Sequence, residues 1–203
     1  MENVIYGLPK QGGSLSSAYN RVTKQEIGYT TSSAKVLTKH KDKVIRSVSI
    51  GRTPIQASSL LKVAGISLDS KPYDQLYHLF MVLTFTDGKQ ISVEKNEVIK
   101  LSNSNLTRAN TETKQISKAP NNTTLALLLE KTEEAMGYSY HRYSALNNNC
   151  QDYILNILKA NRFGSQAVKA FVKQDTSDLV GKKTSKVLDN VTRVAGIFQT
   201  LKD

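Results

Sequence analysis

The chain has 203 residues, a formal charge of +11, three histidines and a single cysteine. That length fits one domain of ordinary size with tails, and it is enough to bury a real core. One cysteine excludes an internal disulfide and fits a reducing compartment, so a cytoplasmic or virion-associated setting is expected.

The N-terminus lacks the basic and apolar regions of a signal peptide. No run reaches the roughly 20 apolar residues that span a bilayer. The charge is uneven: residues 1–50 carry 8 basic and 3 acidic side chains, residues 151–203 carry 9 and 5, and the middle is nearly neutral. The positive charge favours anionic partners such as nucleic acid, phospholipid headgroups or an acidic protein, and the basic ends suit nucleic-acid, membrane or capsid contacts. A Lys-rich soluble surface produces the same total.

Residues 1–35 read as a flexible basic arm. Gly12 to Ser17 and Thr30 to Ser33 are small and polar, with few apolar residues between them. Order is expected from about Lys43, with Val44, Ile45, Val48 and Ile50 forming a short strand. A helix start follows: Thr53 as N-cap, Pro54 at the first helical position, and Gln56 completing a capping box. Ala57, Leu60, Leu61 and Ala64 form its inward face, Gly65 ends it, and Asp69 to Asp74 is a loop.

Tyr77 to Thr86 is the strongest strand, rich in β-branched and aromatic residues. Asp87-Gly88 is a turn signal, and Gln90 to Val98 returns as the second strand of a hairpin. His78, Phe80, Val82 and Thr84 share one face of the first strand. Gln90, Ser92 and Glu94 share a face of the return strand. In an antiparallel hairpin the histidine near the start of one strand lies opposite the polar residues near the end of the other.

Residues 101–122 read as a long polar connection. Thr123 or Thr124 then caps a helix with Leu125, Leu128, Leu129, Thr132 and Met136 inward, ending at Gly137. An aromatic loop with Tyr138, Tyr140, His141 and Tyr143 leads to Asn147-Asn-Asn-Cys150. From Cys150, the residues Tyr153, Ile154, Ile157 and Leu158 fall at i+3, i+4, i+7 and i+8, one face of an amphipathic helix. Asn148 or Asn149 caps it. Cys150 therefore belongs in the first turn, facing inward, where the helix dipole favours a thiolate. A small core residue also occupies such a position, so the position alone does not make a nucleophile. A further helix is expected over Ser165 to Lys173. Residues 178–203 are expected to form a last amphipathic helix, with Val187, Val191, Val194, Phe198 and Leu201 in a stripe for its own domain, a partner helix or a membrane surface.

The sequence holds no Walker loop, no G-x-G-x-x-G and no paired Cys/His zinc pattern, and no metal or other cofactor is expected.

A histidine opening an apolar strand, a polar return strand, and Asn-Cys at a helix start resemble the circularly permuted branch of the NlpC/P60 papain-like superfamily. These are the lecithin:retinol-acyltransferase-like, or H-box/NC, proteins. The H-box would be His78-Leu-Phe-Met-Val-Leu-Thr-Phe-Thr-Asp-Gly88, and the NC-box Asn149-Cys-Gln-Asp-Tyr-Ile154. The resemblance spans roughly residues 44–160. It implies an α+β domain over 44–174, with a small antiparallel sheet packed against helices in a permuted papain-like core. It also implies a Cys150 nucleophile with His78 as its base. Leu79 and Phe80 depart from the family's His, aromatic, Gly pattern. The return strand also lacks the second histidine many members carry; Glu94, Ser92 or Gln90 would take its place, with Glu94 the first choice. Proteins of this general look also occur in DNA viruses.

The chemistry implied is acyl transfer through a thioester. The substrate would be an acyl-bearing lipid or a peptide, and the activity that of an acyltransferase, phospholipase, amidase or thiol protease. His141 is the rival base, being close to Cys150 in sequence, and His40 reads as part of a solvated charged segment. The alternative from a different class is a non-catalytic virion or binding protein that uses its basic ends on nucleic acid, membrane or a partner protein.

Overall fold

The computed structural model describes residues 29–54, 77–96, 98–103, 110–116, 122–144 and 147–173. They form an α+β unit, a five-stranded antiparallel sheet with four helices. In chain order the elements are α1 (Thr31–His40), β1 (Ile45–Pro54), β2 (Tyr77–Phe85), β3 (Gln90–Lys95), β4 (Ile99–Ser102), β5 (Glu112–Ile116), α2 (Leu125–Met136), α3 (Cys150–Ala160) and α4 (Gln166–Val172). The sheet order is β4-β3-β2-β1-β5, with β2 in the centre.

The β2–β3 hairpin forms as its residues dictate. Gly88 takes φ +80°, a conformation that only glycine adopts without cost, and the Asp87 carboxylate accepts the Lys89 N–H. Tyr77, Leu79, Met81, Leu83 and Phe85 of β2 alternate into the main core with Ile91 and Val93 of β3 and Val48 and Ile50 of β1. Tyr153, Ile154, Ile157 and Leu158 of α3 pack onto β2 and β3 and complete that core. Leu125, Leu128 and Leu129 of α2 join it, and α2 packs against α3. Among the described residues no helix is long and apolar enough to cross a membrane.

Four expectations need correction. Residues 31–35 are not part of a loose arm. Thr30 caps α1, whose Ala34, Val36 and Leu37 are buried, and the helix packs on β4. The Ser/Thr run misleads because Thr30 is a cap and the Ser33 hydroxyl accepts the Leu101 N–H inside the protein. Thr53 and Pro54 do not start a helix. They end β1, opposite His78 and Tyr77, where a missing proline N–H costs least.

The return strand stops at Lys95, and the chain turns through Asn96, whose N–H donates to the Val98 carbonyl, into β4. The 101–122 connection holds the end of β4 and all of β5. Glu112, Thr113, Lys114 and Gln115 of β5 are exposed, so a strand on the sheet edge reads as a polar loop. The helix expected from Ala57 to Ala64, the loop at 69–74, the arm before residue 29 and the C-terminal helix at 178–203 lie outside the described residues.

Candidate active site

Cys150 is the first residue of α3. Asn149 is the N-cap: its side-chain oxygen accepts the N–H of Gln151 at 2.8 Å and of Asp152 at 3.2 Å. The Asp152 carboxylate reaches back to the Asn149 N–H at 3.1 Å, closing a reciprocal capping box. The box takes up the N–H groups of residues 149, 151 and 152 and leaves that of Cys150 outside it. The inward periodicity of α3 turns the thiol toward the protein, and Cys150 is 7 % exposed.

His78 is the second residue of β2, and Glu94 is the last but one of β3. The register pairs Phe80 with Glu94, so His78 and Glu94 are diagonal neighbours on one face. Their side chains meet, with His78 Nε2 2.6 Å from Glu94 Oε2. Glu94 is buried and the His78 side chain is 14 % exposed. Nε2 is held by the carboxylate, and Cys150 is the second group that acts on the ring, its hydrogen bond and charge working with those of Glu94. Burial alone would push the imidazole down. The hydrogen bonds to Cys150 and Glu94, together with their charges, outweigh it and raise His78 to about 9.

The other candidates do not join this cluster. Gln90 lies at the far end of β3 and donates its side-chain amide to Thr84 Oγ1. Ser92 lies between Val82 and Ser102, with its hydroxyl buried and without a hydrogen-bond partner among the described residues. His141 is engaged elsewhere: Nε2 is 3.5 Å from Glu133 Oε1, and its ring meets the edges or faces of Tyr29 and Tyr140. His40 is not solvated. It is 2 % exposed, stacks on Phe85 and bonds Asn103 through Nε2, and burial pushes its pKa down.

Two residues of the site escape the sequence reading. Asp152 is one; its spacing from Asn149, three residues on, is the pattern of a capping box. Lys95 is the other. It is fully buried, and its ammonium donates to the Ser139 and Tyr140 carbonyls and to Asn148 Oδ1. Its signal is parity: it follows Ile91 and Val93 on the apolar face of β3, where a charge demands partners. Among the described residues no group of three or more metal-ligating side chains comes together.

No protein-family model, curated protein or solved structure matches the chain.

Proposed function

We propose that the chain is a cysteine-dependent acyl-transfer enzyme built on a permuted papain-like core of the NlpC/P60 kind. One observation carries the reading: the His78 imidazole is held by the buried Glu94 carboxylate at 2.6 Å and interacts with Cys150, the first residue of α3. That is the order nucleophile, base, orienting group that thiol catalysis needs.

In the proposed reaction the Cys150 thiolate attacks an ester or amide carbonyl, forming a C–S bond. The carbonyl oxygen takes the negative charge, and the Cys150 N–H, outside the capping box, is the donor placed to receive it. The tetrahedral adduct collapses to a thioester as His78 gives its proton to the leaving oxygen or nitrogen. Water or an acceptor hydroxyl or amine then attacks the thioester, gives its proton to His78, and breaks the C–S bond. Glu94 stabilises the imidazolium in both half-reactions. The acyl donor is a lipid ester or a peptide amide.

The competing reading is a non-catalytic structural or binding protein. One observation favours it: the thiol is 7 % exposed, as a core cysteine would be. Iodoacetamide separates the two. An enzyme shows fast, stoichiometric alkylation of Cys150 at pH 6. The reaction is abolished in Cys150→Ala, falls by about 100-fold or more in His78→Ala, falls partly in Glu94→Ala and hardly changes in His141→Ala. A thiol that stays inert until the protein unfolds would sink the catalytic reading. Lipid and peptide electrophile probes, run side by side on the reactive protein, then name the substrate class.

A further inference from the structure

We infer that Lys95 is a positioning residue for the nucleophile: one buried ammonium fixes the segment from which Cys150 emerges. Its catalytic consequence rests on the acyl-transfer reading above; its geometry does not. Lys95 Nζ donates to Ser139 O at 3.1 Å, Tyr140 O at 2.8 Å and Asn148 Oδ1 at 3.4 Å. It also lies 5.4 Å from the centre of the Tyr153 ring, one turn along α3 from the cysteine. Asn148 passes the restraint on. Its side-chain amide donates to Ser139 O at 2.6 Å and Arg142 O at 2.7 Å, and its backbone exchanges hydrogen bonds with Ser144 in both directions. The residue after it is the helix cap Asn149, and the next is Cys150. Lys95 and Glu94 are adjacent on β3 with opposite orientations. One strand end therefore holds the base through Glu94 and the nucleophile's segment through Lys95.

Stability does not explain the lysine. Burying an ammonium is costly, and replacing a buried charge with an apolar side chain of similar volume is often neutral or favourable. Burial pulls Lys95 down to about 8, with Asp152 of α3 acting in the opposite sense. What the charge does supply is geometric: a flexible methionine in its place would fill the space and hold none of the three acceptors.

The test uses the full chain with Lys95→Met and Asn148→Ala, each compared with wild type. Three quantities are followed: hydrogen exchange of the Ser144 and Asn148 amides, the His78 ring titration by NMR, and iodoacetamide alkylation at pH 6. Both variants are expected to speed exchange of those amides about tenfold or more. They should lower the His78 midpoint, because the thiol no longer meets the ring. Alkylation should slow on the order of 10- to 100-fold, as a misplacement of about 1 Å does. A purely structural lysine would lower the unfolding midpoint but leave the His78 midpoint and the alkylation rate of the folded protein unchanged; that result overturns the inference. If Lys95→Met does not fold, Asn148→Ala decides by the same criteria. If wild-type alkylation does not depend on His78, the acyl-transfer reading fails. Amide exchange alone then judges Lys95, unchanged exchange overturning it.

Discussion

Glu94 Oε2 lies 2.6 Å from His78 Nε2, one diagonal step across the β2–β3 ladder, and the carboxylate is almost wholly buried. A buried carboxylate needs a cation or several donors, and a protonated imidazole supplies one. Glu94→Gln keeps the shape and an acceptor oxygen but removes the charge. Low-pH alkylation of Cys150 is expected to fall by about tenfold, less than the ~100-fold or more of a lost base in His78→Ala, because Glu94 acts through the ring. Glu94→Ala should also cost about 3–5 kcal/mol in urea unfolding, because it strands a buried imidazolium. A Glu94→Gln protein as reactive as wild type would leave the carboxylate with a structural role only.

The cap of α3 is open to a separate experiment. Asn149 accepts two N–H groups through one oxygen and receives Asp152 in return. Asn149→Ala is expected to destabilise the protein by about 1 kcal/mol, the usual cost of a lost N-cap. The first turn carries Cys150, so fraying it should also slow alkylation. Urea titration gives the first quantity and the alkylation rate the second. An Asn149→Ala protein with unchanged stability would mean that the box is not formed.

Gly51 marks where β1 makes room for the site. It pairs with Phe80, and a Cβ added to it would lie 2.2 Å from Phe80 Cζ. Phe80 is itself the register partner of Glu94 and lies two residues from His78 on the same face. Gly51→Ala must displace the ring. The expected cost is about 1–3 kcal/mol by urea unfolding, the range for overpacking. Phe80→Leu on top of it should recover part of the loss. Equal stability of Gly51→Ala and wild type would contradict the packing.

Much of the site was legible because its signals are local. The alternation of β2, the Asp87-Gly88 turn and the spacing of Cys150, Tyr153, Ile154, Ile157 and Leu158 each depend on a few neighbouring residues. Once the hairpin was placed, His78 and Glu94 had to lie near each other. What sequence could not give was tertiary. Ser33 looks like a loop residue until Leu101 donates to it. His40 looks solvated until Phe85 stacks on it. Edge strand β5 carries polar side chains because β1 and solvent flank it, so no apolar alternation announces it. Thr53-Pro54 shows the reverse failure: good local helix-start chemistry was overridden by a ladder with β2.

The pH behaviour follows from the direction of the His78 shift. Its pKa stands at about 9, above the ordinary imidazole value, because the hydrogen bonds to Cys150 and Glu94 and their charges outweigh the opposing effect of burial. The ring therefore stays protonated through neutrality and loses its proton as the pH rises through about 9. If the chain catalyses acyl transfer as proposed, the acid is available below that point and absent above it, so the activity should show an alkaline limb falling through about pH 9. The ring proton on Cε1, followed by NMR, should titrate with the same midpoint. Cys150→Ser removes the sulfur's share of the raising interactions and Glu94→Gln removes a charge, so each should lower the midpoint. A wild-type His78 midpoint near 6.5, unmoved by either substitution, would mean that neither group acts on the ring in solution.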